Sequence, residues 1–468
     1  MSTRKLMKAV AVVGMASLAL TACSNGSSSS SSSDKGGAEA PKVSCDVPKG
    51  NIDDTAIDTK NVKGEITWMT QGLQSDFKDF FTAQIAEFEK ENPGTKIKWT
   101  DQGGSEDFDN IISTQAQGCK MADVVNVPSS TIMALSSRNF LMDIDKKAPK
   151  AGDHILPEVY KAAALGKNGD HTAIPWYFGP FITVYNKDVF QRNGLDPEKV
   201  PTTMDERFDA AEKIAKANKG DFALWGNPQW QIHAEWASMG VKMMNDDATE
   251  FTFANDKNAI HWLEKMKELN DAGVIPPDSF TSEPDPGKAY NKGNLAFGTP
   301  NPAFVRNIKE NNAQVYANTG VAPYPKSEGG HSAVSPQFIA VSVTTKNAPL
   351  AVKFAEYITS AEQEYNWARN GGAVVMPPSQ EALDKLQANP PEYTKGDALL
   401  QKDYDIALEA AKNASTDASD AYLTGQVQST LSEAVVKAIR GEEEPEQALK
   451  NAQDKMNTLV KKLNASKK

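Results

Sequence analysis

Aromatic and polar side chains alternate over a short stretch near the middle of this chain of 468 residues. Three of its eight tryptophans lie there, Trp225, Trp230 and Trp236, and the positions between them include amide and ionisable residues. Sugar rings present C–H faces that pack on aromatic rings, and their hydroxyls need groups that both donate and accept hydrogen bonds. The stretch therefore favours carbohydrate binding. We expect Trp225 and Trp230, which flank the turn 226–228, to contact a ligand. Trp236 is expected to pack in the core, and packing is also expected for Trp99, Trp262 and Trp367.

The residue patterns of common enzyme sites are missing from the sequence. The five histidines show neither the H-x-x-x-H nor the H-E-x-x-H spacing of zinc hydrolases. There is no G-x-S-x-G nucleophile turn and no glycine-rich phosphate loop. A pair of carboxylates for glycoside cleavage stays open, because the chain holds 61 aspartates and glutamates. We predict a binding protein and not an enzyme, with no metal and no cofactor.

The first 23 residues have the order of an export signal. Three cations precede an apolar run, 9–20, which is too short to span a bilayer as a mature anchor. The segment Leu20–Cys23 then resembles a bacterial lipobox, in which Cys23 is lipidated once the signal peptide 1–22 is removed. The alternative is an ordinary secretory signal. A serine run, 27–33, makes 23–60 a flexible tether, so we expect the protein at the extracellular face of the cell membrane.

Two further cysteines, Cys45 and Cys119, remain in a chain that is predicted to be exported. Disulfides persist in such compartments, so we predict a Cys45–Cys119 bridge, with two free thiols as the alternative. The net charge of −11 argues against nucleic acid as a partner, because phosphate binding needs clustered Lys and Arg. No segment after the signal reaches eighteen consecutive apolar residues, so none is predicted to span a membrane.

The body begins with alternating strand and helix patterns, and later helices are predicted over 233–244, 348–368 and 426–463, the last with a break at 440–441. Strands are predicted at 65–70, 96–100 and 123–127, with a helix capped by Ser75 after the first and a second helix around 108–112. This order predicts a parallel sheet, whose ligands lie beyond the carboxyl ends of the strands. The small polar residues at those ends are candidate ligand contacts: Gln71, Gly104, Ser105, Ser129 and Ser130.

Five ordered segments carry a family resemblance. The first runs from Ile174-Pro175-Trp176 through Val184-Tyr185-Asn186-Lys187 to Pro201-Thr202-Thr203. The others are 122–125, 290–297, 351–360 and 434–449. Together they resemble the family 1 extracellular solute-binding proteins, the maltose-binding-protein-like receptors of ABC sugar importers, over about residues 62–463. Phe297, where methionine is usual, and the segment 299–302 depart from the family pattern.

The resemblance implies an α/β, two-lobed periplasmic-binding-protein-like fold with hinge crossovers and a helical C-terminus. Lobe 1 would comprise 61–179 and about 318–385, and lobe 2 would comprise 180–317 and about 386–468. Crossovers are expected near 178–181, 316–320 and 338–341. The resemblance also places Trp176 and Tyr177 in the cleft between the lobes. Further candidate ligand contacts are Trp68, at the end of the first strand, and Asn301, Phe304, Gln337 and Gly372. Packing inward is the alternative for Trp68.

The function that the resemblance implies is that of a monomeric receptor. It would capture a carbohydrate, most simply an oligosaccharide, and deliver it to the permease subunits of an ABC importer in the membrane. A receptor for another solute, such as glycerol 3-phosphate or a polyamine, is one alternative. The phosphate would need basic donors near the cleft, for which only Arg306 and Arg369 are candidates. A lipid-anchored glycosidase and a surface adhesin are the others.

Overall fold

The computed structural model describes residues 45–105, 107–166, 168–226, 231–281, 285–371 and 375–465. The predictions made for Cys23, Trp230 and Gly372 therefore fall outside the described residues. Residues 39–468 form one unit by their contacts, and everything described below belongs to it.

Strands and helices alternate through the first half of the chain, and helices dominate the second half. The described strands are β1 (Gly64–Gln71), β2 (Thr95–Gln102), β3 (Val124–Pro128), β4 (Ile174–Tyr177), β5 (Ile182–Asn186), β6 (Thr319–Pro323) and β7 (Gln337–Val341). The described helices up to β6 are α1 (Gln74–Glu91), α2 (Phe108–Gln117), α3 (Ser129–Ser136), α4 (Ile144–Lys147), α5 (Pro157–Tyr160), α6 (Lys187–Arg192), α7 (Met204–Ala217), α8 (Ile232–Ser238), α9 (Lys257–Asp271), α10 (Pro286–Asn291), α11 (Pro302–Asn311) and α12 (Ala313–Ala317). After β7 follow α13 (Ala348–Ile358), α14 (Ala361–Asn370), α15 (Gln380–Ala388), α16 (Ala398–Lys412), α17 (Gly425–Ile439) and α18 (Pro445–Ala465).

Five strands form one sheet in the order β2-β1-β3-β7-β4. The strands β2, β1 and β3 pair in parallel, as predicted, with Trp68 opposite both Trp99 and Val124. A late strand, β7, enters between β3 and β4 and is antiparallel to both, which the sequence pattern did not indicate. The second sheet described consists of β5 and β6, paired antiparallel.

Two groups of elements build largely different cores, and we call them lobe 1 and lobe 2; Val159 of α5 and Ala368 of α14 also reach a core cluster of lobe 2. Lobe 1 is the five-stranded sheet with α1–α5, α13 and α14. Apolar residues of α1 and α13 cover one face of its sheet, and those of α2 and α3 cover the other. Lobe 2 is the β5–β6 sheet with α6–α12 and α15–α18, whose apolar faces form two further clusters.

Strand pairing moves the late lobe boundaries away from the predicted ones. The strand β6, which the predicted boundary near 318 gives to lobe 1, pairs with β5 instead. Leu383 and Leu386 of α15 pack in a core that includes Val184 of β5. We therefore propose that 319–323 and 380–388 belong to lobe 2. The crossover 178–181 lies where it was expected, between β4 and β5. The next crossover is 324–336, between β6 and β7. The two later crossovers expected at 316–320 and 338–341 do not lie there, because 316–320 runs into β6 and 338–341 lies within β7.

Several helix boundaries also differ from the sequence pattern. Ser75 does not cap α1, because the helix already begins at Gln74. The residue before the helix is Leu73, and the backbone N–H of Leu73 donates to the Asp101 carboxylate. The helix expected over 233–244 ends at Ser238, because Gly240 follows with a left-handed φ of 77°. The helix expected over 348–368 is divided, since the Ser360 side chain caps a new helix, α14. The break expected at 440–441 is confirmed between α17 and α18.

The structure joins Cys45 and Cys119 in a disulfide with a Cα–Cα distance of 5.6 Å. Cys119 follows α2 and has a left-handed φ of 59°. The segment after Cys45 is held on lobe 1 by buried polar groups. Asn51 donates to the carbonyls of Val343 and Thr345, both at 2.8 Å, and the buried Lys147 donates to the carbonyl of Gly50 at 2.7 Å.

Candidate functional site

Two adjoining cavities lie where elements of both lobes meet. The larger, about 640 Å³, is bounded by loops after β1 and β2, by the starts of α2 and α3, and by α17. The smaller, about 300 Å³, is bounded by the β3–α3 junction, the crossover 179–181, α8 and the segment 300–301. Pro128, Ser130, Gln337, Leu423 and Gln428 line both cavities. We call the two cavities together the cleft.

The polar residues predicted from the strand ends meet in this cleft. Gln71 and Ser105 line the larger cavity, Ser129 lines the smaller one, and Ser130 lines both. Gly104 lies beside them, since a Cβ built on it would be 3.7 Å from the Gln71 amide nitrogen. The structure thus brings these residues together because the carboxyl ends of parallel strands share one sheet edge. Their contact with a ligand stays a prediction.

Two predicted residues from later segments also line the cleft. Asn301 borders the smaller cavity and caps α11, accepting a hydrogen bond from the backbone N–H of Ala303. Gln337 begins β7 and borders both cavities. Its side-chain oxygen accepts from the Asn126 amide at 3.1 Å, which orients the Gln337 amide at the floor of the cleft.

The predicted aromatic contacts do not reach the cleft. Trp68 and Trp176 are 0% and 1% exposed, and Phe304 is 8% exposed. Both tryptophans pack in the lobe 1 core, and Phe304 packs on Tyr290 in lobe 2. Interpreting these three residues as ligand contacts is therefore wrong for this structure, because alternation along the strands turns both tryptophan rings into the core under α1 and α13.

The remaining aromatic candidates lie apart from the cleft as well. Tyr177 is half-buried and packs edge-on against Trp176 and Trp367. Trp225 is half-buried beside a separate cavity of about 20 Å³ near Arg207 and Glu235. The packing expected for Trp99, Trp236, Trp262 and Trp367 is confirmed, with Trp99 partly buried against the lobe 1 core.

A chain of hydrogen bonds that the sequence did not reveal lies at the wall of the smaller cavity. Asp420 accepts hydrogen bonds from the hydroxyls of Ser129 and Ser335. The Ser335 hydroxyl also lies 3.1 Å from Nε2 of His233. Because that hydroxyl gives its one proton to Asp420, the His233 Nε2 must carry the proton of the second bond. Burial raises the pKa of Asp420, while His233 and the two hydroxyls act in the opposite direction.

A second carboxylate, Asp109 of α2, connects the two lobes. It accepts from the hydroxyls of Ser130 and Thr131 at the start of α3, the former at 3.2 Å. It also accepts from the backbone N–H of Gly425, the first residue of α17, at 3.2 Å. The same carboxylate thus contacts the first turns of one helix in each lobe.

Some residues of the cleft that were not predicted as ligand contacts had a signal in the sequence, and others had none. Phe181, which lines the smaller cavity and packs on Tyr324 with ring centroids 5.7 Å apart, lies in a crossover that the sequence predicted. His233 lies in the polar stretch around the tryptophans. Asp109 and Asp420 have no local signal, because their partners Gly425 and Ser129 are 316 and 291 residues away.

A family model of bacterial extracellular solute-binding proteins matches residues 74–365. The chain belongs to this family. The sn-glycerol-3-phosphate-binding periplasmic protein UgpB of Escherichia coli (strain K12) is 24% identical over 404 residues, which cover 81% of this chain and 89% of that protein. The resemblance stated from the sequence is confirmed.

Solved structures of low identity share the fold of this solute-binding protein. A putative oligosaccharide periplasmic-binding protein from Synechococcus sp. MITs9220 matches with a TM-score of 0.74 and 22% identity, covering 85% of this chain and 99% of that one. The GacH receptor of Streptomyces glaucescens GLA.O, solved unliganded and with acarbose, matches with a TM-score of 0.70 and 19% identity, over 86% and 99% of the two chains. The α/β, two-lobed fold is confirmed.

The cleft of this solute-binding protein is acidic. Asp109 and Glu433 line the larger cavity and Asp420 lines the smaller one, whereas none of the described lining residues of either cavity is Lys or Arg. The two basic candidates from the sequence lie elsewhere. Arg306 stacks over the Tyr393 ring at 4.8 Å, and Arg369 donates to the carbonyl of Asn389.

Two other kinds of feature are absent from the residues that the structure describes. Within the ranges given above, no group of three or more His, Cys, Asp or Glu side chains is arranged to hold a metal ion. In the same ranges, no helix is both long and apolar enough to cross a bilayer.

Proposed function

We propose that this solute-binding protein captures a carbohydrate, most simply an oligosaccharide, in the cleft and delivers it to the permease subunits of an ABC importer. The observation that carries the proposal is the lining of the two adjoining cavities. Serine hydroxyls, glutamine and asparagine amides and carboxylates from both lobes converge there. Such groups match the mixed donor and acceptor demand of sugar hydroxyls.

The position of these groups suggests how binding would favour closure. A solute that contacts Ser105 and Gln337 of lobe 1 together with Gln428 of lobe 2 stabilises the arrangement in which both sets are in reach. The free energy by which a solute shifts the equilibrium toward the closed form equals the difference between its binding free energies for the closed and the open form. The closed form would then dock on the permease.

The proposal extends to the state of the protein in the cell. Lipidation at Cys23 would hold a monomer at the extracellular face of the membrane, with 23–44 as the tether; the range 23–60 expected from the sequence is too long, because residues from Cys45 onward are held on lobe 1. The Cys45–Cys119 disulfide would attach the end of that tether to lobe 1. The family match to extracellular solute-binding proteins supports the extracellular location, whereas the lipid anchor rests on the sequence alone.

A receptor for a phosphorylated polyol is the second candidate, because curated relatives are named as sn-glycerol-3-phosphate-binding proteins. The charge of the cleft bears on this choice and is taken up below. A glycosidase is the third candidate, and it differs from a receptor in that it consumes its sugar.

A screen of ligand-induced melting shifts tests the proposal. A soluble form beginning at residue 40 is heated with monosaccharides, oligosaccharides and glycerol 3-phosphate, and the best solute is titrated by calorimetry. We expect a carbohydrate to raise the melting temperature and to be recovered intact after incubation. Gln337→Ala should weaken the binding of that solute, because Gln337 lines both cavities. Trp225→Ala, outside the cleft, serves as the control and should leave the affinity unchanged. No shift with any carbohydrate contradicts the proposal, and cleaved sugar indicates the glycosidase.

A further inference from the structure

Two helices begin at the cleft, and the groups bonded at their starts bear on which solute charge the cleft accepts. We infer that this chain selects an uncharged solute and rejects phosphate esters, because Asp109 and Asp420 bond the side-chain hydroxyls at the start of α3, and Asp109 also bonds the first backbone N–H of α17. The inference rests on the proposed function and narrows its substrate class. It separates this chain from the curated relatives that are named for glycerol 3-phosphate.

The first of these helix starts belongs to lobe 1. The helix α3 begins at Ser129, directly after β3, and its first three residues are Ser129, Ser130 and Thr131. Unpaired N–H groups and the aligned peptide dipoles make such a start attractive to anions. Here the Ser129 hydroxyl is bonded to Asp420, and the hydroxyls of Ser130 and Thr131 are bonded to Asp109. Carboxylates of this chain have therefore taken the hydroxyl donors.

The second helix start belongs to lobe 2. The helix α17 begins at Gly425, whose backbone N–H donates to the Asp109 carboxylate at 3.2 Å. Gly425 also lines the larger cavity. A single carboxylate thus meets the positive ends of two helices that approach the cleft from different lobes. A phosphate brought to the start of α17 would have to displace this carboxylate, and one brought to the start of α3 would meet both carboxylates at the first three hydroxyls.

The other described walls offer a phosphate little compensation, because His233, the one histidine among them, already bonds the Ser335 hydroxyl beside Asp420. Glu433, an exposed residue of α17, adds a third carboxylate to the larger cavity. The described residues that line the cleft include no Lys or Arg, and a phosphate site normally supplies such cations or free helix N–H groups. Like charges a few ångströms apart repel strongly at the low effective dielectric of a cleft. A neutral hydroxyl, in contrast, can donate to these carboxylates.

Matched neutral and phosphorylated solutes test the inference in the wild-type protein. The best sugar from the screen, its phosphate monoester and glycerol 3-phosphate are titrated by calorimetry into the soluble form beginning at residue 40. We expect both esters to bind at least roughly 100-fold more weakly than the sugar, since a phosphate a few ångströms from a carboxylate is repelled strongly at the effective dielectric of a cleft.

Charge-neutral variants test the residues. Asp109→Asn and Asp420→Asn keep the side-chain size, and combining them should narrow the ratio of sugar to ester affinity by about tenfold or more. Asp79→Asn, an exposed position on α1, makes the same charge change outside the cleft and should leave the ratio unchanged. Melting curves verify that each variant is folded, and the wild-type comparison stands if one is not.

The outcomes separate the two proposals. An ester that binds the wild-type protein as tightly as the sugar, or more tightly, overturns the inference while leaving a solute receptor intact. A ratio that stays the same in the folded double variant overturns the assignment to Asp109 and Asp420. A wild-type protein that binds no solute of either kind contradicts the proposed function itself.

Discussion

Trp176 of β4 stacks on Trp367 of α14, with ring centroids 4.8 Å apart and planes inclined by 29°. Trp176 also packs edge-to-face with Trp68 and at a tilt against Phe81, with ring centroids 5.9 and 5.7 Å apart. Its exposed fraction is 1%. This tryptophan therefore joins a strand and two helices of lobe 1 and takes no part in lining the cleft.

The first prediction follows from this packing. Trp176→Ala should lower the free energy of unfolding by about 3–5 kcal/mol, because truncating a buried aromatic leaves a cavity. Urea unfolding monitored by circular dichroism measures the loss. The half-buried Trp225→Ala should cost less and serves as the control. A stable Trp176→Ala protein that has lost its sugar affinity would instead restore Trp176 to the binding site.

The disulfide between Cys45 and Cys119 gives the second prediction. Its loop spans 74 residues, for which the chain-entropy model gives a stabilisation of about 4 kcal/mol. Intact mass after alkylation without reductant should show no free thiol, and Cys45→Ser with Cys119→Ser should lower the urea midpoint. Two alkylated cysteines in the native protein would contradict the bridge.

Asp403 of α16 gives the third prediction, on pH. It is fully buried, its carboxyl oxygens have no hydrogen-bond partner among the described residues, and burial raises its pKa to about 8. Between about pH 4, where the unfolded chain loses this proton, and pH 8, the folded state binds more protons than the unfolded state. The contribution of Asp403 to the free energy of unfolding is thus fully present below about pH 4 and is lost as the pH rises toward about 8.

Urea unfolding of Asp403→Asn beside the wild type checks this pH dependence. The neutral amide cannot titrate, so the variant should lose less stability than the wild type between pH 5 and pH 8. Glu364, also buried and with a raised pKa, remains in both proteins and cancels in the comparison. Equal slopes in the two proteins would show that Asp403 is ionised in the folded state.

Lipidation of Cys23 is the fourth prediction, and it comes from the sequence alone. Cys23→Ala should release the protein from the membrane fraction or leave its signal peptide uncleaved. Fractionation and mass spectrometry of the two proteins provide the measurement. If the variant matches the wild type in both, the lipobox interpretation fails.

Patterns that depend on neighbours in the chain were readable from the sequence. The parallel strands β1–β3 and the break between α17 and α18 follow from periodicity and turn residues. So does the meeting of Gln71, Ser105 and Ser130 at one cavity, because the carboxyl ends of parallel strands share an edge. The ordered family motifs indicated the two-lobed fold.

Contacts between distant segments were decided only by the tertiary structure. A tryptophan has the same composition signal whether its ring faces a core or a cleft, so Trp68 and Trp176 could not be distinguished from ligand contacts. The late strand β7 enters the middle of the first sheet, and Asp109 and Asp420 reach partners about 300 residues away. Periodicity and spacing report on neighbours within a few residues, whereas the charge lining the cleft depends on which surfaces two lobes bring together.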